Sequence, residues 1–535
     1  AGLRYAQEDK ASEQGSTTNV ASTFKAGRDI TRQASGTITD QATQLEAGRD
    51  IQQSATTLKE LAAENRTWSS ESTEKHDARL GVYAGASAEA KAGAQGGALG
   101  SAAESKAEAD ASAGLKGSYK FDKESQSSAS STAVTSRYKA GGSITSTTTD
   151  KTTLIGTQFE AGKDVTIEAK SLDYQAARDT SSSSSGKQAV EAEAKAKLVG
   201  TAGAELSGAY DQSSSSSSSS TARAGGVNAG GNVTVRTRGD ARLEGTDIAA
   251  GEKAKVESTA GNVILDAARS TSSSKSQGFN VKADLSLTKT PAKDGKAGGK
   301  EGEGSLGGGY SSSSSSATTS KGASIKGRDV EVSAGRDVTM QGTQVKAAGD
   351  ATVKAGGEVK LLEAKDSSKS SSFGVKANAD LSKDKQSGGV NVKAANEDKQ
   401  TGKATSIQSG GNTTVSGKRV TSQEAELSSG GKTTVKGPVQ SLKKTSVDKG
   451  MKIDVGVDAV RKAKPDSAAK DKAQDDKASS GAAPAGSKSA TTSTPKDAKS
   501  AVTTTTPPKA KKKVRKPAAK KPIASAPSLS TPSGN

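Results

Sequence analysis

The stretch GTQVKAAGDATVKA, Gly342–Ala355, has a near copy in GTQFEAGKDVTIEA, Gly156–Ala169. Looser versions begin at Ala42 (ATQLEAGRDIQQSA), Gly245 (GTDIAAGEKAKVES) and Glu424 (EAELSSGGKTTVKG). Laying Val233–Lys255 over Val330–Thr352 without gaps brings Val233 onto Val330, Val235 onto Val332, Leu243 onto Met340 and Ile248 onto Val345. Within each run apolar residues alternate with period two, as in strands with one buried face. The runs last three to five residues. The turn phrases between them recur at a fixed spacing: Gly27 to Gly48 is 21 residues, Gly335 to Gly356 is 21 and Gly410 to Gly430 is 20.

Very short strands with turns every twenty-odd residues suit a parallel β-helix, in which each period is one coil stacked about 4.8 Å above the last. A coil must fit the coil beneath it, so the phrase repeats because its neighbours demand the same shape. The Gly of each turn supplies positive φ at the corner, and the Asp or Asn after it bonds its own backbone.

Composition agrees with a thin core. Only 30% of the 535 residues are hydrophobic and 2% aromatic, and 60 are Gly, too little to fill the interior of an ordinary enzyme of this length. With no Cys, disulfides and thiolate metal sites are excluded. No apolar run approaches the roughly 20 residues that span a bilayer as a helix. The chain opens at Ala1 without an initiator Met, as expected of a piece of something longer whose export signal lies upstream.

The net charge of +18 is concentrated at one end. Residues 441–535 hold 21 Lys and Arg against 8 Asp and Glu, and 9 of the 11 prolines, leaving about +5 for the first 440 residues. Residues 461–535 have almost nothing to bury and are expected to be disordered.

A longer rhythm overlies the coils. Ser-rich phrases (AARDTSSSSS from Ala176, AARSTSSSKS from Ala267, EAKDSSKSSS from Glu363) lead into runs such as GFNVKADLSL, Gly278–Leu287, and further serines precede the return of the coil phrase. The unit is two coils plus an insertion of about 40 to 75 residues. The expected layout is coils at 1–65, 140–178, 227–269, 323–366 and 407–460, the last ending in a terminal strand. Insertions fall at 66–139, 179–226, 270–322 and 367–406, and the tail at 461–535. GFNVKADLSL alternates with period two, so each insertion reads as a long, weakly stabilised hairpin leaving the column. For the first insertion a disordered Ser/Gly loop fits equally, and its Ala/Glu/Lys-rich part at Ala88–Ala111 allows some helix.

The phrases AGRDI, AGKDVTI, AGGNVTV and AGRDVTMQGTQV, with SSSKSQGFNVKADLSL between blocks, resemble the haemagglutinin repeats of filamentous haemagglutinin-like proteins, the exported partners of bacterial two-partner secretion systems. The resemblance covers about residues 20–447. It implies an all-β, right-handed parallel β-helix with Ser/Gly-rich hairpin-like insertions, exported through an outer-membrane transporter and displayed on the cell. Members of this family adhere to host cells, join biofilms, or carry a C-terminal toxin against neighbouring bacteria. The N-terminal secretion domain is missing here, and a Lys/Pro tail stands where a toxin would be. The expectation is therefore a non-enzymatic surface adhesin whose partners are that transporter and an unidentified receptor or glycan. The alternative is the stalk of a growth-inhibition protein lacking its toxin.

Discrete sites are few. His76 is the single His, and a His-based triad or zinc site has no partners for it. It is expected to be solvated. Asp29, Asp50, Asp164, Asp337 and Asp350 appear at one turn position, as corner chemistry rather than paired catalytic carboxylates. Neither a cofactor nor a small-molecule substrate is expected. Arg238, Gly239 and Asp240 spell the tripeptide that integrins recognise, here falling on an ordinary corner. Lys509, Lys511, Lys512, Lys513, Arg515, Lys516, Lys520 and Lys521 form a basic run that suits a polyanion or a solvated linker. Stacking readout of nucleic acid is not expected without aromatics there.

Overall fold

A computed structural model describes residues 2–90, 107–198, 202–289 and 298–462 of the chain. The described residues form four sheets of ten strands each and no helix. Three of the sheets are built from strands of four to six residues in parallel register and make the three walls of a column. One coil contributes one strand to each wall: Thr23–Ala26, Ile30–Gln33 and Thr37–Gln41 in the first, Gln44–Ala47, Ile51–Ala55 and Thr57–Leu61 in the second.

The two-residue alternation fixes which side chains point inward. Val165–Ala169 and Ala351–Ala355 each bury every second residue. Stacking then places like on like. On the first wall Leu45, Tyr138, Phe159, Val227, Ile248, Ile325, Val345 and Ile407 form one buried file. On the second, Ile51, Ile144, Val165, Val233, Ala254, Val330 and Ala351 form another. The Val-for-Phe exchange between the two quoted phrases follows from this file, because Phe159 lies against Tyr138 with ring centroids 5.0 Å apart. A core this narrow is filled by one or two side chains per wall per coil, so β-branched and small residues suffice.

The corners differ from expectation in two ways. Positive φ belongs to the residue that opens each copy of the phrase rather than to the phrase's turn glycine: Ala42, Gly156, Gly245, Gly342 and Glu424 all lie at φ between 48° and 62°, and among the other corners Gly437 lies at 116°. Each opening residue joins the third wall of one coil to the first wall of the next. The turn glycines are required for space. A Cβ on Gly48, Gly141, Gly162 or Gly230 would strike the carbonyl oxygen of the glycine one coil below. The corner carboxylates also bond the neighbouring coil rather than their own backbone. Asp50 Oδ1 accepts from the Ser143 N–H at 2.7 Å, Asp164 Oδ1 from Asn232 at 2.6 Å, and Asp350 Oδ1 from Asn412 at 2.7 Å. Asp337 lies at a different corner, between the second and third walls, in a ladder with Asp240, Asn262 and Glu358.

The fourth sheet is antiparallel and is here called the wing. Its strands, in spatial order, are Gly2–Thr17, Ala63–Ala90, Ala107–Val134, Ala177–Lys197, Ala202–Arg223, Ala268–Lys289, Lys300–Lys321, Ala364–Leu381, Lys385–Lys403 and Val447–Lys462. The insertions are therefore hairpins, and they join edge to edge. The spacing explains why. Two coils climb roughly 9.6 Å, the same distance that two adjacent strands occupy. A hairpin inserted every second coil therefore arrives in hydrogen-bonding reach of the previous one.

Gly2–Thr17, expected within the first coils, is instead an edge strand of the wing, because it pairs residue for residue with Arg66–Gly81. The first insertion is strand to Ala90 and again from Ala107, so no helix occurs in the described part of Ala88–Ala111. Residues 91–106 lie outside the described residues. The last strand continues through Arg461 to Lys462 by pairing with Lys385–Gln386.

Candidate interaction surface

Near the column the middle strands of the wing, from Ala107–Val134 to Ala364–Leu381, are serine-rich on both faces. Directly opposed hydroxyls bond one another at 2.8 Å: Ser181 with Ser219, Ser183 with Ser217, Ser274 with Ser315 and Ser314 with Ser371. Ser is a poor strand former alone, and its repetition is explained by these reciprocal cross-strand pairs.

Farther out the two faces diverge. Every second residue builds a charged face, where Arg4 meets Asp77 at 2.6 Å, Lys120 meets Glu191 at 2.7 Å and Lys187 meets Glu124 at 2.8 Å. The alternate residues build an apolar face. One row across the strands reads Leu3, Leu80, Gly117, Ala194, Leu206, Leu285, Gly304, Leu381. The row before it carries Tyr5, Ala78, Tyr119, Ala192, Gly208, Ala283, Leu306 and Ala379. These leucines remain open to solvent, Leu206 at 56% and Leu306 at 55%. The segment GFNVKADLSL holds the pattern, with Phe279, Val281, Ala283, Leu285 and Leu287 on this face and Lys282 and Asp284 on the other. The alternation was legible in the sequence. That ten such strands adjoin and leave the face uncovered was not.

His76 differs from the solvated residue expected. It sits on the apolar face with its ring 4.9 Å from Phe121, Nδ1 3.1 Å from the Tyr119 hydroxyl and Nε2 3.2 Å from Glu74. No cluster of three or more metal-ligating side chains occurs among the described residues.

Arg238, Gly239 and Asp240 turn the corner between the second and third walls. Arg238 and Asp240 are exposed, but Asp240 Oδ1 accepts from Asn262 N at 2.8 Å and Nδ2 at 2.9 Å, so one carboxylate oxygen is engaged in the coil stack. The basic run from Lys509 to Lys521 lies outside the described residues.

The column also encloses polar groups, Gln53 and Ser146 among them. Glu60 is fully buried on the third wall, and Tyr138 donates to its Oε1. Its Oε2 finds no donor. Burial, then the neighbouring Asp40 carboxyl, push Glu60 up to about 8, so it is protonated at neutral pH. Burial alone would raise Asp40 too, but Arg32, 2.7 Å away, holds that carboxyl below its ordinary range. A carboxylic acid, a carboxylate, a guanidinium and a phenol thus replace hydrocarbon at the first coils.

Stacked coils with a regularly spaced lateral sheet define a β-helical repeat protein whose accessible chemistry lies on its insertions and corners. The family model for the hemagglutinin repeat matches residues 3–120, 115–281, 206–372 and 304–450, and the chain belongs to that family. It is also 30% identical over 308 residues to a hemolysin of Serratia marcescens, an alignment covering 54% of this chain and 18% of the relative. The chain thus spans about a fifth of that protein's length. No solved structure matches.

Proposed function

We propose that this chain is a non-enzymatic segment of an exported filament that attaches cells to other cells or surfaces. It would pass through an outer-membrane transporter and be displayed on the bacterial surface, in keeping with its family. The observation that carries this reading is periodicity. Every second coil adds the same pair of wing strands, so any contact the wing makes recurs at constant spacing, and weak contacts multiply through avidity. The corner carboxylates support a structural role, since Asp50, Asp164 and Asp350 are spent on backbone N–H groups of adjacent coils. Arg238–Gly239–Asp240 and the basic run at Lys509–Lys521 enter as secondary contact candidates, for an integrin-type receptor and a polyanion.

The test is attachment of beads coated with the full chain to erythrocytes and to bacterial lawns. Retention should fall steeply, rather than in proportion, when one two-coil unit with its hairpin is deleted. Beads that bind no better than beads coated with a protein of equal charge would dispose of the adhesive role.

A further inference from the structure

We propose that the apolar face of the wing packs against the same face of a second copy of this chain, sheet on sheet. Antiparallel sheets in water ordinarily cover one face and solvate the other. Here the charged face is solvated and internally paired, whereas the opposite face leaves Leu206, Leu285 and Leu306 about half exposed. Twenty exposed large apolar side chains among the described residues, from Leu3 to Val457, share this face, together opening on the order of 1,000 Å². A standard specific interface takes about 800 Å² from each partner.

Three features select a like surface as the occupant. The face alternates ridges and hollows: Leu306 stands between Ala283 and Ala379, and the Leu206–Leu285 pair between Ala194 and Gly304. Such relief interdigitates with its own copy at the roughly 10 Å spacing of stacked sheets. The two rows described above hold no charged side chain from Leu3 to Leu381 or from Tyr5 to Ala379, the charges of the outer end being Lys289, Lys300 and Arg461, so two copies can overlap on those rows without bringing a charge into a dry interface. A lipid surface would instead select a row of cations beside the apolar zone, whereas this face offers the Lys289–Lys300 pair and Arg461 at its outer end and Lys282 projects from the other face. Finally, Leu285 is seventeen residues beyond Ala268, where the strand leaves the column, roughly 58 Å at strand rise. Two wings can therefore overlap without their columns meeting. The chain's own residues 463–535 offer only Val502, Val514, Ile523 and Leu529 as large aliphatics, too few to cover the face.

The full chain should sediment as a dimer at micromolar concentration. The double variant Leu206→Lys, Leu285→Lys should sediment as a monomer with unchanged far-ultraviolet circular dichroism. Because the chain has no Cys of its own, Leu306→Cys reports the same surface by labelling. It should resist maleimide in the associated chain and react several-fold faster when the two lysines are also present, while Lys282→Cys on the charged face reacts equally in both. A monomer at every concentration overturns the proposal, as does a dimer that survives the double variant. Monomer that instead co-sediments with neutral phosphatidylcholine vesicles, and loses this with the two lysines, assigns the face to lipid and also overturns it.

Discussion

Asp164 accepts a hydrogen bond from the backbone N–H of Asn232 at 2.6 Å, and from its side-chain amide at 3.0 Å, although 68 residues separate them along the chain. A whole hairpin lies between the two in sequence, and one coil in space. The corner carboxylate is thus a clamp between neighbours. Replacing Asp164 with Ala removes the acceptor and should cost about 1 kcal/mol. Hydrogen exchange should quicken at residues 143–165 and 232–237 and stay unchanged beyond residue 400, because coils sense mainly their neighbours. Asp164→Asn, which keeps an acceptor, should restore most of the protection.

Gly27 and Gly48 give opposite expectations for one substitution. A methyl group on Gly27 meets nothing within 4 Å, whereas on Gly48 it strikes the Gly27 carbonyl. Gly27→Ala should leave thermal unfolding nearly unchanged. Gly48→Ala should destabilise by about 2 kcal/mol or more and open a protease site near the first coils.

Glu424 holds φ 48° where three equivalent corners use glycine. Glu424→Gly should stabilise the chain by about 1 kcal/mol, the strain of a non-glycine residue in that region, since the ion pair with Lys444 at 3.1 Å is exposed and worth little. Gly245→Ala should do the reverse, as φ there is 59° and the methyl would press on Ala268 Cβ. Denaturant midpoints of the two variants should move in opposite directions.

Glu60 makes the first coils sensitive to alkali. Its pKa in the fold is pushed up to about 8 from the ordinary 4.5. A raised carboxyl binds its proton more tightly when folded, so the stabilisation is complete below about 4.5 and fades as pH rises through about 8. Protection factors at residues 30–61, which correct for the intrinsic pH dependence of exchange, should therefore fall between pH 7 and pH 9. Glu60→Gln, which carries its own hydrogen permanently, should flatten that dependence.

Val353 is buried between Val332 and Val415. Val353→Asp places a charge there without a partner and should unravel the surrounding coils. Limited proteolysis should yield new cuts near residues 330–360, and an unaltered digest would contradict the inward placement.

The sequence by itself determined the column. Period-two runs, turns every twenty-odd residues and the repeated phrase specify coils, and coils template one another locally, so the information lies within one or two periods of any residue. It also carried both sides of GFNVKADLSL. Only the tertiary structure decided which glycines are held by φ and which by space, because Gly48 is constrained by an oxygen one coil below. The same holds for Gly2–Thr17, whose brief Leu3–Tyr5 alternation and polar remainder suit coil or wing alike until pairing with Arg66–Gly81 chooses. Above all, the joining of separate hairpins into one sheet rests on an equality of distances, two coil heights against two strand widths. That equality exists in space and leaves no mark on any single stretch of residues.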